Sequence, residues 1–307
     1  MYQHQRLAGA GTVVGQCEVV RGHLGDYAPD AWPDQETSYA SPMDLSGRTA
    51  LVTGSNRGIG RALAEALARE PLGLLLCGTR SPQDFEPIAT GAGGAREVRA
   101  VRIDLGSREA IDESCAELGD DLGRIDLLIN NAGLVTGGLL EEQDLDAIYA
   151  MFQANLVGLV HLTQAVLPGM LERHSGKVVN NASISGYAYF PAASTYAGSK
   201  AGVVAFTESL RRELKNTGVS TLHLVTGGVD TDMLDATEES YGRYLDTSDW
   251  DKVPASEWAA KVIGAIRDDS TVLGPGGKTA LAKLASRGPG FLLDRISDRM
   301  FSREPRP

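Results

Sequence analysis

The sequence predicts an α/β fold: a doubly wound parallel β-sheet with helices on both faces, in a single domain. Three observations carry this. From Leu45 onward, short apolar runs alternate with longer helix-forming stretches, the pattern of successive βα units. The apolar runs are continuous rather than alternating, as in Ala50-Leu51-Val52, which suits strands buried on both faces. The first run ends in a glycine-rich turn, Gly54-x-x-x-Gly58-x-Gly60, that opens directly into a helix-forming segment, the context in which such a turn carries meaning.

The elements follow in order. Strands are expected at 49–53, 72–77, 98–103, 125–129, 177–181, 220–225 and 271–273, and helices at 61–70, 107–121, 141–173, 195–216 and 255–268. The segment 61–70 is built almost entirely of Ala, Leu, Glu and Arg, all strong helix formers. No internal repeat interrupts residues 45–275, so they form one domain. Residues 1–44 are rich in Gly, Pro, Asp and Gln without periodicity, and read as an extended or disordered arm, or one that wraps over the domain or a partner. Residues 276–307 form a basic amphipathic tail broken by Gly288-Pro289-Gly290. Packing on a neighbouring subunit is favoured for it over contact with a membrane surface or a lipophilic substrate.

Composition excludes several classes. Asp plus Glu is 40 against 29 for Lys plus Arg, a net charge of −11, which argues against a nucleic-acid-binding protein. The three cysteines, Cys17, Cys77 and Cys115, are widely spaced, so reduced thiols in a cytoplasm are expected rather than disulfides. The five histidines lack metal-ligand spacing, and no metal site is expected. No uninterrupted apolar stretch approaches about 18 residues, so no transmembrane segment is expected. The N-terminus lacks the basic-then-apolar pattern of a secretory signal.

The glycine turn is the first chemical feature. Gly54, Asn56, Arg57, Gly58, Ile59 and Gly60 lie between a strand and a helix; glycines let a diphosphate approach the backbone, and the helix N-terminus offers it free N–H groups. This is a Rossmann-type dinucleotide site, against the plainer reading of a bare strand-to-helix turn. At the end of the second strand an acidic residue would bond a ribose 2′-hydroxyl, whereas arginine accommodates a 2′-phosphate. Here the end reads Cys77-Gly78-Thr79-Arg80-Ser81, with no carboxylate before Asp84. Arg80 and Arg57 therefore favour NADP(H) over NAD(H), the alternative being that both are simply solvated.

The second feature is Tyr196-Ala197-Gly198-Ser199-Lys200. On a helix, Tyr196 and Lys200 share one face. A phenol has a pKa of about 10; a neighbouring ammonium favours the phenolate and lowers it, so that it can exchange a proton with a carbonyl or alcohol oxygen. Ser183 upstream can hydrogen-bond the same oxygen. An isolated Tyr-x-x-x-Lys is weak, because a surface lysine on an amphipathic helix gives the same pattern.

With these motifs in order, residues 45–275 resemble the classical short-chain dehydrogenase/reductase family. Thr53-Gly54-x-x-x-Gly58-Ile59-Gly60 is similar to the family's cofactor loop, Asp104-Leu105 to its adenine contact, and Asn130-Asn131-Ala132-Gly133 to the segment that steadies the sheet and lines the cofactor. Ser183 lies thirteen residues before Tyr196, as in the family, which favours it over the neighbouring Ser185. The resemblance implies that Tyr196 is the general acid or base, that Lys200 lowers its pKa and bonds the nicotinamide ribose, that Ser183 polarises the substrate oxygen, and that Asn155 joins Lys200 to solvent through a water. Gly228, Val229 and Thr231 sit where the family contacts the cofactor. The departure is Thr226, which stands where the family has proline, giving the turn an N–H and a freer φ.

Substrate choice is assigned to residues 232–253, read as a mobile lid with apolar patches at Met233, Leu234, Tyr241, Tyr244, Leu245 and Trp250, suited to an apolar or aromatic carbonyl compound. The expected activity is NADP(H)-dependent interconversion of carbonyl and alcohol by a homodimer or homotetramer. The alternative is a cofactor-binding regulatory or scaffolding protein acting through its terminal arms.

Overall fold

The computed structural model describes residues 42–247, 250, 252–275, 294–295 and 299–304. The N-terminal arm up to residue 41, and most of the expected tail, lie outside the described residues. Strands β1 (Thr49–Thr53), β2 (Leu74–Thr79), β3 (Val98–Arg102), β4 (Leu127–Asn130), β5 (Gly176–Asn181), β6 (Val219–Leu224) and β9 (Val272–Leu273) form a seven-stranded sheet in the order β3-β2-β1-β4-β5-β6-β9. Every pairing in it is parallel. Strand order reverses between β1 and β4, so the crevice at their carboxyl ends is where such sheets hold ligands.

Successive strand residues face opposite ways. Ala50 and Val52 pack beneath helices α1 (Gly58–Ala68) and α7 (Ala255–Arg267), with Leu63, Leu67, Trp258, Val262 and Ile266. Leu51 faces the other side, where α2 (Arg108–Leu118), α4 (Gly158–Glu172) and α5 (Ser194–Glu213) contribute Ile111, Leu162, Val166, Met170 and Leu210. Both faces are therefore dry, as the continuous apolar runs require.

Several boundaries differ from the sequence reading. The second strand begins at Leu74 because Gly73 and Leu74 both donate to the Arg48 carbonyl in a turn; Leu72 is fully buried but reaches the core from that turn. Helix α1 starts at Gly58, three residues early, since two glycines in its first turn mask its helical character. The expected helix at 141–173 is an isolated turn at Leu140–Glu142 followed by α3 (Leu145–Phe152), capped by Asp144, a π-helical turn at Gln153–Val157, and α4. By length and composition the continuous helix Leu145–Glu172 could cross a membrane, yet Leu159, Leu162, Val166 and Met170 are packed in the core.

Half of the segment expected to act as a lid, residues 232–253, is helix α6 (Asp232–Gly242). Thr231 caps it by accepting from the Leu234 N–H, and Asp232 and Asp235 lie in its first turn, where carboxylates complement the helix dipole. Before it, β7 (Val229–Asp230) pairs in parallel with β8 (Val253–Pro254). The described end of the tail, residues 299–304, packs on this segment within the chain: Asp246 N–H donates to the Met300 carbonyl (2.8 Å) and Ser302 N–H to the Tyr244 carbonyl (2.9 Å).

Candidate active site

The glycine loop closes the carboxyl end of β1. Gly54 and Gly58 have φ of +67° and +55°, the left-handed region. A Cβ on Gly60 would lie 2.0 Å from the Gly54 carbonyl oxygen, and one on Gly54 would lie 2.9 Å from Ala132 Cα. The first turn of α1 has no side-chain cap, so its N–H groups are free to meet an anion. The opposite wall is Thr231, whose methyl carbon would be 3.3 Å from a Cβ on Gly58. Asn56 is exposed at the loop tip, Ile59 packs against the α1–α7 core, and Gly228 and Val229 enter β7, with Val229 buried. These residues fit the diphosphate of a dinucleotide.

Thr53 ties this loop to the next. Its hydroxyl accepts from Asn131 N–H (3.0 Å) and Ala132 N–H (2.9 Å), while Asn131 Nδ2 donates to the Thr53 carbonyl (3.1 Å). At the end of β3, the Asp104 carboxylate accepts from Gly106 N–H (2.9 Å), and Leu105 is buried with its carbonyl accepting from Gln153. Arg80 stands exposed just beyond β2, without an ion pair among the described residues. Arg57 lies 3.9 Å from Asp232, both largely exposed.

The residues expected to transfer the proton come together at the start of α5. Ser183 and Lys200 are buried and Tyr196 is half-buried. The Ser183 hydroxyl lies beside the Tyr196 phenol and favours its ionised form, and it accepts from Ser185 N–H (3.1 Å), fixing the turn Ile184–Gly186. Of the two serines, Ser183 is the one that acts on the phenol, and Ser185 gives it a backbone donor. Lys200 Nζ lies 5.8 Å from the Tyr196 ring centroid and donates to the Asn181 carbonyl (2.8 Å).

Burial dominates the electrostatics. It raises the Tyr196 pKa to about 12, with the Ser183 hydrogen bond pulling the other way, and lowers that of Lys200 to about 8. The sequence reading had the ammonium lowering the phenol. In the folded protein dehydration moves both groups toward their neutral forms, because each charge loses water without gaining an opposite charge.

Asn155 lies in the π-helical turn, the kind of irregularity often found at functional sites. Its Oδ1 accepts from Leu134 N–H (2.7 Å), and its Nδ2 donates to the Leu134 carbonyl (2.9 Å) and Ser199 Oγ (3.1 Å). A Cβ on Gly133 would sit 2.9 Å from Asn155 Oδ1 and 3.7 Å from Lys200 Nζ. The glycine cradle and the residues expected to transfer the proton therefore lie against one loop: a Cβ on Gly54 would meet Ala132, and one on the next residue, Gly133, would meet Asn155 and approach Lys200.

Two arrangements were not foreseen from the sequence, although Thr226 had been singled out as a departure from the family. The Thr226 hydroxyl donates to Asn181 Oδ1 (2.5 Å), and Asn181 Nδ2 donates to Asn131 Oδ1 (3.0 Å). The second is an apolar cluster of Ala193, Tyr241 and Leu245 joined by Val135, Phe190, Trp250, Met300 and Phe301, which meets the start of α5 at Ala193. Tyr241 and Leu245 carried a signal, since both lie in the segment assigned to substrate choice. Val135, Phe190 and Phe301 come from loops and the tail, where no periodicity marks them.

Comparison with known proteins agrees with this fold. Residues 48–242 match the family model described as short chain dehydrogenase. The chain is 33% identical over 205 residues to the 3-oxoacyl-(acyl-carrier-protein) reductase of Vibrio harveyi, covering 64% of this chain and 80% of that protein. It is also 33% identical over 209 residues to an uncharacterised oxidoreductase of Staphylococcus saprophyticus, covering 67% and 89% respectively. Among solved structures, a short chain dehydrogenase from Burkholderia cenocepacia in complex with NADP superposes with a TM-score of 0.70 at 24% identity, covering 83% of this chain and 99% of that one.

Proposed function

The chain belongs to the short-chain dehydrogenase family, and from that premise we propose that it is an NADP(H)-dependent oxidoreductase interconverting a carbonyl and an alcohol, with Tyr196 as general acid or base. The observation that carries this reading is the loop the two sets share: a Cβ on Gly54 would lie 2.9 Å from Ala132 Cα, and one on the next residue, Gly133, 3.7 Å from Lys200 Nζ.

The nicotinamide, when bound, supplies or takes up the hydride. Tyr196 gives its proton to the substrate oxygen during reduction and takes it back during oxidation. Ser183, held by Ser185 N–H, keeps its hydroxyl beside the phenol to orient that oxygen. Lys200, fixed on the Asn181 carbonyl, holds its amine over the phenol and toward the nicotinamide ribose. Asn155 keeps one Oδ1 lone pair beyond its contact with Leu134 N–H, enough to hold a water that returns the proton from solvent. Arg80 is the ligand for a 2′-phosphate, and Asp104 and Leu105 border the adenine. NADPH use has support from the Burkholderia structure, which is a complex with NADP.

The assembly in this reading is a homodimer or homotetramer in the cytoplasm. The outer face of α5 and the loop before it carry a shallow apolar depression of about 550 Å³ lined by Tyr189, Phe190, Pro191, Ala197, Gly198 and Ala201, a surface suited to a second copy.

The test is NADPH and NADH oxidation with a panel of ketones and aldehydes, comparing wild type with Tyr196→Phe. Loss of turnover with cofactor affinity retained is expected; undiminished turnover in that variant would overturn the mechanism. Cofactor binding without turnover of any carbonyl or alcohol would favour the regulatory alternative.

A further inference from the structure

Tyr241 closes the last turn of α6 and is 2% exposed. Its hydroxyl has no hydrogen-bond partner among the described residues. The ring is seated closely: a Cβ on Gly137 would fall 1.8 Å from its Cε1, and Ala193, at the mouth of the helix that bears Tyr196, packs on the same cluster. Burial pushes the Tyr241 pKa far above that of an ordinary phenol, and the nearby Tyr196 adds to the same direction. The group is therefore a neutral donor at any working pH.

A buried hydroxyl without a partner costs free energy, and phenylalanine would fill the same space without that cost. The other unpartnered buried atoms among the described residues belong to Asn130, Thr221, His223 and Trp258, none of which is in the apolar cluster beside Tyr196. Around Tyr241 that cluster offers Val135, Phe190, Leu245, Trp250 and Phe301, which receive carbon rather than charge.

We infer that the Tyr241 hydroxyl is a second substrate anchor, donating a hydrogen bond to a neutral oxygen other than the one that reacts at Tyr196. The substrate class is then a ketone with a second acceptor oxygen near the reacting carbonyl, as in a β-keto ester, on an apolar or aromatic body. This rests on the carbonyl reductase reading above and narrows it.

The experiment uses the full chain and two probes, ethyl benzoylacetate, which has the second oxygen, and valerophenone, which lacks it. Tyr241→Phe should lower kcat/KM for ethyl benzoylacetate by about tenfold, the worth of one well-placed hydrogen bond, and leave valerophenone within about twofold. Calorimetric binding of ethyl benzoylacetate to the NADPH-loaded protein should weaken by a similar factor, and thermal denaturation should show a fold at least as stable as wild type. Binding that weakens in the variant when neither probe is turned over would leave the anchor standing and sink the reductase reading. Turnover with equal losses on both probes, binding unchanged by the substitution, or no binding of ethyl benzoylacetate to wild type would each overturn the anchor.

Discussion

The Thr226 hydroxyl donates to Asn181 Oδ1 at 2.5 Å, and the carbonyl of the same Asn181 accepts from Lys200 Nζ at 2.8 Å. A residue that departs from the family's proline is thus one side chain removed from the proposed proton-transfer group. The Thr226 carbonyl also accepts from Ile184 N–H (2.9 Å), next to Ser183. Thr226→Val keeps the shape and strands the buried Asn181 oxygen, at a cost of about 1–3 kcal/mol. We expect a lower Tm and a several-fold lower kcat with unchanged NADPH affinity, whereas Thr226→Ser should restore both. Thr226→Pro supplies the fixed φ but not the donor, and should resemble the valine variant. Denaturation curves and steady-state kinetics on the three variants decide the matter; a valine variant with wild-type kcat would remove Thr226 from the positioning chain.

Lys200 should reduce the stability of the fold. Its pKa is lowered from 10.5 to about 8 by burial, so the unfolded chain binds the extra proton between those values. Stability contributed through this group is therefore lowest below pH 8, where the buried ammonium is fully charged, and rises as pH passes from about 8 to 10.5. The shift corresponds to about 3 kcal/mol. Lys200→Met should be inactive yet more stable than wild type at pH 7, less the contribution of the lost bond to the Asn181 carbonyl, and its advantage should shrink toward pH 10. Chemical denaturation of both proteins at several pH values measures this. A wild type that outlasts the variant at pH 7 by a margin independent of pH would contradict it.

Cofactor choice should rest on Arg80 more than on Arg57. Arg80 stands at the end of β2 without an ion pair among the described residues, while Arg57 is already turned toward Asp232 at 3.9 Å. A charge-assisted bond to a phosphate contributes about 1.5–3 kcal/mol, so Arg80→Ala should weaken NADPH binding by roughly ten- to a hundredfold and leave NADH nearly unchanged. Arg57→Ala should show a smaller difference. Fluorescence titration with both cofactors reads it; equal losses for the two cofactors in Arg80→Ala would remove that residue from the 2′-phosphate.

The parallel, doubly wound sheet and the placing of Tyr196 with Lys200 were legible because they rest on local rules: continuous apolar strands, glycines between strand and helix, and a four-residue helical spacing; Ser183 was found through the family's spacing. What escaped was decided by tertiary context. The first turn of α1 contains Gly58 and Gly60, which lower helix propensity but are required where a Cβ would strike Gly54. The lid helix was hidden by its acidic residues, though Thr231 followed by Asp232 and Asp235 is a helix start. The direction of the Tyr196 shift could not be read at all, since spacing sets which groups are neighbours while burial sets how each titrates.

The described end of the tail gives the lid its second support. Leu245 and Phe301 form an antiparallel bridge, flanked by the backbone bonds of Asp246 to Met300 and Ser302 to Tyr244, and Arg303 pairs with Glu141 at the surface. Met300 and Phe301 join the apolar cluster behind Tyr241, whereas the sheet core does not include them. Removing residues 299–307 should therefore loosen α6 without unfolding the domain. We expect KM for a ketone to rise about tenfold, as two backbone bonds and the aromatic cover are lost, with NADPH affinity and Tm little changed and proteolysis faster within 232–247. Arg303→Ala alone should do little, because an exposed ion pair contributes about 0–1 kcal/mol. A truncated protein with wild-type KM and unchanged proteolysis would show that the lid holds its place without the tail; one whose cofactor affinity falls equally would place the tail's effect on the fold as a whole.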